Sequence, residues 1–134
     1  MPYWVAQLIG AGIAAALVKF LKAGPVAAPG NLSVLPSLLA EFLFTFALVY
    51  VVLNVATAKG TSGNSFYGLA ISMTVMVGAF AVGGISGGAF NPAVAVGIIL
   101  MGLASWSSIW IFRLAELLAG AAAALVFKAV NPGD

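Results

Sequence analysis

The sequence predicts an all-α membrane protein with four transmembrane helices plus one re-entrant half-helix. Three observations carry that prediction. Of 134 residues, 63% are hydrophobic and 6% charged. A soluble domain carries about 25% charged residues, so this chain has too little polar material to cover a water-facing surface. No charged side chain occurs between Lys59 and Arg113, a gap long enough for two bilayer crossings at about 20 apolar residues each. Inside that gap a glycine-rich break, residues 83–90, runs into Asn91-Pro92 and a short apolar stretch.

The first helix is expected over Pro2 to Leu21. At about 1.5 Å per residue it matches the roughly 30 Å hydrocarbon core. Lys19 and Lys22 can snorkel at its end. Tyr3 and Trp4 read as interfacial anchors of a spanning helix, not as the start of a cleavable signal. Gly24-Pro25 and Pro29-Gly30-Asn31 break the chain next. The second helix is expected from Pro36-Ser37 to Ala56, with Pro tolerated in the first turn. It carries one carboxylate, Glu41, within the span. Thr45 and Asn54 are expected to bond neighbouring helices. Phe42, Phe44, Phe46 and Tyr50 are expected to face lipid or pack. Residues 59–65 form a polar, glycine-rich connector.

The third helix is expected from Phe66 to Val82. Gly83, Gly84, Gly87 and Gly88 follow, and each glycine costs about 1 kcal/mol against Ala inside a helix. The helix is therefore expected to stop at Gly83. Asn91 is an N-cap residue type and Pro92 suits the first helical position. The segment from Asn91 to Met101 is too short to span and reads as the half-helix. The last helix is expected to begin within Trp106 to Trp110 and to end near Val130. Its Arg113 and Glu116, at i and i+3, are expected to neutralise each other. The run Ala119 to Ala124 suits close helix packing in lipid, and Gly68, Gly78 and Gly120 are expected close-packing points.

Composition excludes several chemistries. The chain has no Cys, no His and only three Asp or Glu residues. Disulfides and thiolate metal sites are impossible, and the commonest general base and metal ligand is missing. No catalytic residue, metal or cofactor is expected, and passive transport fits better than enzymology. Five scattered Lys and Arg residues make no basic patch, so nucleic acid is not an expected partner. The lipid bilayer is.

Non-helical backbone at membrane depth must be satisfied by protein or by water in a cavity. Residues 83–90 thus read either as a tight surface loop or as carbonyls lining a wet path. The half-helix favours the second reading. Its N-terminus presents unpaired N–H groups and partial positive charge, which attracts lone pairs and repels cations. An Asn at that end can cap its helix and still offer amide hydrogens to a solute.

Ser86-Gly87-Gly88-Ala89-Phe90-Asn91-Pro92-Ala93-Val94 resembles the signature loop of the aquaporin (major intrinsic protein) family. Leu39-Ala40-Glu41-Phe42 with Thr45 resembles the start of that family's fourth helix, Phe66 to Ile71 its fifth, and Trp110-Ile111-Phe112 with Gly120-Ala121 its sixth. Residues 2–22 resemble its third. The resemblance implies an aquaporin-like partial fold over residues 1–134 as one transmembrane domain. It implies a pore for water or small neutral solutes, a homotetramer, and a place in the cell's plasma or inner membrane. Asn91, Pro92 and Ala93 would form the pore motif, with Asn91 as mid-pore donor. Gly87, Gly88, Ala89 and Phe90 would offer carbonyls. Ala79, Gly88 and Val94 would fall on the selectivity filter. Glu41 would bond loop N–H groups behind the half-helix or, less simply, touch solute.

Three departures accompany the resemblance. Val94 stands where the family usually has Arg, which with Ala79 implies a wider, less cationic gate. Ala115-Glu116 stands where Gly-Pro is common. The first two helices and first half-helix of the family have no counterpart here, which reads as a truncated product or fragment, or as one half of a two-chain assembly. On the implied orientation Lys19, Lys22 and Arg113 lie outside and Lys59 and Lys128 inside, so charge counting does not favour it. Two alternatives remain open: a secondary transporter with a discontinuous helix, coupled through Glu41, and a non-conducting membrane subunit.

Overall fold

A computed structural model describes residues 2–23 and 31–134. The expected breakers Gly24-Pro25 and Pro29-Gly30 lie outside the described residues. Five α-helices follow in order: α1 (Pro2–Leu21), α2 (Val34–Val52), α3 (Tyr67–Ser86), α4 (Pro92–Leu100) and α5 (Ile109–Val130). Four of them are long and apolar enough to cross a bilayer; α4 is the short one. A π-helical turn, Leu53–Thr57, extends α2, and a 3-10 turn, Trp106–Ser108, leads into α5.

The largest difference from expectation is the end of the third span. Helix α3 runs through Gly83 and Gly84 and stops at Ser86, where Gly87 (φ 97°) turns left-handed and donates its N–H to the Gly83 carbonyl at 2.9 Å. The reason is the solvent. Glycine costs about 1 kcal/mol in a helix, but an unpaired backbone group in lipid costs several. The helix therefore continues to Ser86, beyond which the Ser86 hydroxyl and a carboxylate from α2 accept the N–H groups of the following residues.

Packing is uneven. Helix α5 lies along α2, α2 along α3, and α4 is held between α1 and α5. The buried stripe of α5 is Ile111, Phe112, Ala115, Glu116, Ala119, Ala123 and Phe127. Its alanines recur every fourth residue, which lets two helix backbones approach closely. The buried stripe of α2 is Ser37, Ala40, Glu41 and Thr45. A compact core of Ala89, Ala95, Ile98, Ile99, Ala104 and Phe112 seats the half-helix. Helix α1 buries only Ala15.

Several smaller expectations are corrected. Thr45 Oγ1 is buried without a partner among the described residues, and Asn54 Nδ2 donates to the Tyr50 carbonyl of its own helix at 2.8 Å. Gly68 and Gly120 face open space, whereas Gly78 is tightly enclosed. Phe42, Phe46 and Tyr50 stack along α2 at 6.5 and 6.1 Å. Trp4 lies in the first turn of α1. It shares a cavity with Asn91 and Pro92. The polar connector after α2 is tied to the chain end, where the Lys59 N–H donates to both Asp134 carboxylate oxygens at 3.3 Å.

Candidate functional site

The site is the backbone between α3 and α4, and its N–H groups can be followed one by one. Gly88 donates to Ser86 Oγ at 3.2 Å. Ser86 Oγ in turn donates to Glu41 Oε1 at 2.6 Å. The Ala89 N–H donates to Glu41 Oε1 at 3.0 Å and the Phe90 N–H to Oε2 at 2.8 Å. Glu41 is completely buried, so three donors converge on one carboxylate from α2. Charge-assisted bonds of this kind are roughly twice as strong as neutral ones. Ser37, one turn before Glu41, donates to the Ile85 carbonyl at 3.3 Å. The α2 face thus holds the end of α3 and the loop together.

This anchoring supports a strained turn. Gly87, Gly88 (φ 65°) and Phe90 (φ 52°) all have left-handed backbone. For a non-glycine residue that conformation costs on the order of 1–3 kcal/mol. The Phe90 ring is buried and packs on Phe44 at 5.6 Å between centroids. Gly78 makes room for it: a Cβ on Gly78 would meet Phe90 Cε2 at 2.6 Å.

Asn91 opens the half-helix. Its Oδ1 accepts the Ala93 N–H at 2.8 Å, and its carbonyl accepts the Ala95 N–H at 2.9 Å. Pro92 fills the first helical position, where a missing N–H costs nothing. The carboxamide oxygen is committed to the cap, and among the described residues no acceptor takes the Nδ2 hydrogens. Asn91 and Ala93 face two cavities. One, of about 430 Å³, also touches Trp4, Gln7, Val96 and Arg113. The other, of about 330 Å³, touches Gln7, Gly10, Ala11 and Val94. A larger space of about 580 Å³ at the α2–α3 connection contains none of these loop residues.

The remaining residues fall on different faces. Gly87 is exposed and Gly88 partly so, while Ala89 and Phe90 are buried. Ala79 adjoins Gly88, since a Cβ on Gly88 would sit 3.4 Å from the Ala79 Cα. Val94 is exposed on the first turn of α4 and shares a cavity with Asn91.

The expected Arg113–Glu116 pair does not form. Arg113 is exposed toward the cavity at Asn91, whereas Glu116 is only 4% exposed and neither of its oxygens has a hydrogen-bond partner among the described residues. The spacing permits a pair, but the α5 stripe turns Glu116 inward with Ala115 and leaves Arg113 outside it. The sequence held a signal for this. Ala6-Gln7-Leu8-Ile9 on α1 matches Ala115-Glu116-Leu117-Leu118 on α5, and Gln7 borders both cavities at Asn91.

Residues 1–127 match the Major intrinsic protein family. The chain belongs to that family. Among its relatives, it is 40% identical over 131 residues to the protein named probable aquaporin TIP3-2 of Arabidopsis thaliana, covering 94% of this chain and 49% of the relative. It is 36% identical over 137 residues to probable aquaporin TIP2-1 of Oryza sativa subsp. japonica, covering 98% of this chain and 54% of the relative. The chain spans about half the length of the curated relatives it matches. Family membership and four apolar spans make this major intrinsic protein an integral membrane protein.

Proposed function

We propose that the chain is the broken-helix part of a passive channel for water or small neutral solutes. The observation that carries this reading is the state of Asn91. Its oxygen caps α4 while its amide hydrogens stay unclaimed beside two cavities. The positive end of a half-helix points the same way and disfavours cations. In this reading Asn91, Pro92 and Ala93 form the mid-pore motif. Gly87 and Gly88, with the carbonyls of Ala89 and Phe90, line the approach. Ala79, Gly88 and Val94 form a gate without a cation, wide enough for solutes larger than water. The chain acts as a single domain, without catalysis, in a homo-oligomer that is a tetramer by family resemblance. We assign it to the plasma or inner membrane; fractionation tests that assignment.

A secondary transporter would need an open coupling-ion site. Glu41, its candidate, is taken up by three donors from the chain itself. A non-conducting membrane subunit is the alternative outcome of a permeation test. Stopped-flow light scattering on reconstituted vesicles separates the two. Faster osmotic shrinkage than in empty vesicles supports conduction. Folded protein with no gain supports the subunit.

A further inference from the structure

The hydrogen-bond sequence of the loop contains one gap. Gly88, Ala89, Phe90 and Ala93 all donate to named acceptors. The Asn91 N–H does not, among the described residues. On α5, which packs against α4, Glu116 is buried with two oxygens that have no partner among the described residues, and Arg113 and Leu117 on either side of it line the cavity at Asn91. An unclaimed donor at the start of α4 and an unclaimed acceptor on α5 therefore belong to packed elements that border one cavity. Buried polar groups are rarely left unpaired, and a carboxyl group keeps an acceptor oxygen whatever its charge.

We propose that Glu116 is a positioning residue for Asn91, accepting its backbone N–H directly or through one water. Glu41 holds the loop up to Phe90, and Glu116 holds the next peptide. Together the two acids, from α2 and α5, fix where the Asn91 carboxamide points. The matching pattern on α1 places Gln7, another side chain with an acceptor oxygen, at the corresponding position and beside the same asparagine. The proposal rests on the channel reading only for its effect on permeation.

The first test needs no substitution. Solid-state NMR on the reconstituted wild-type chain measures the distance from the Asn91 amide nitrogen to the Glu116 carboxyl carbon. A direct bond gives roughly 4 Å, from the usual N···O distance of about 2.9 Å. A separation beyond roughly 6 Å, too wide for one bridging water, overturns the assignment. The second test compares Glu116→Gln with Glu116→Leu. Gln keeps an acceptor and should keep Asn91 amide exchange near wild type. Leu should raise it roughly fivefold, the size of one ordinary hydrogen bond. Equal exchange in all three proteins overturns the proposal. If wild-type vesicles do not conduct, the channel reading fails, but these NMR measurements still decide the role of Glu116. If they conduct, Leu should slow osmotic shrinkage more than Gln does.

Discussion

On one flank of the half-helix, α2 reaches the irregular loop with a buried carboxylate, and three donors converge on it. On the other flank, α1 meets α4 through small groups such as Ala11, 3.6 Å from where a Gly97 Cβ would lie. The first flank is held by polar bonds and the second by shape. The difference follows from the backbone each flank supports. Loop peptides at membrane depth have N–H groups that no helix satisfies, so a neighbour must supply acceptors. A regular helix such as α1 satisfies itself and needs only a surface to rest on. Exposure differs as well: α1 buries one residue where α5, of similar length, buries seven.

The largest expected effect comes from removing the polar anchor. Glu41→Leu leaves three buried donors without an acceptor, each costing about 1–3 kcal/mol. We expect a loss above roughly 3 kcal/mol in denaturant titration in detergent, together with loss of osmotic permeability. A loss below about 1 kcal/mol would mean that water replaces the carboxylate, and the contrast between the flanks would collapse. Next comes Gly78→Ala. Its new methyl would sit 2.6 Å from Phe90 Cε2 and 2.8 Å from Phe44 Cδ1. Overpacking of this kind costs typically 1–3 kcal/mol. Phe90→Leu should relieve part of it, which a double-mutant cycle would detect as coupling.

These two sites also show what could be read from the sequence. The half-helix start was legible because capping is local: Asn91 and Pro92 carry their geometry with them. The position of the break was not. Glycine propensity placed it at Gly83, but lipid penalises unpaired peptides more than it penalises glycine, and α3 runs on to Ser86. Glu116 was misread because i and i+3 spacing allows a pair without requiring one. The regular spacing of Ala115, Ala119 and Ala123 was the better guide, since it marks the buried stripe in which Glu116 lies. Gly78 could not be told from Gly68 or Gly120 by sequence. The rings of Phe90 and Phe44, brought against it by the fold, make it different.

A smaller effect separates stability from permeation at the join of the flanks. Asn91→Ala removes the cap bond to Ala93, worth about 1 kcal/mol. Asn91→Ser keeps a capping oxygen but lacks the amide hydrogens. Ser should therefore unfold close to wild type while conducting as poorly as Ala. If Ser conducts as well as wild type, the amide hydrogens of Asn91 play no part in solute passage.

The smallest effects are expected on the outer face of α1. Ile13 and Leu17 are more than half exposed there. Truncating either to Ala should change stability by no more than about 0.5 kcal/mol, as for ordinary surface positions. Ala11→Leu, on the face turned to Gly97, should cost about 1–3 kcal/mol by overpacking. The pair of measurements tests whether α1 is supported from one side only. A cost above about 2 kcal/mol for Leu17→Ala, the range of buried truncations, would show that the outer face is covered in the membrane. The contrast between the flanks would then describe the isolated chain, and the covering partner, whether a second copy or further polypeptide, would supply the contacts that α1 lacks here.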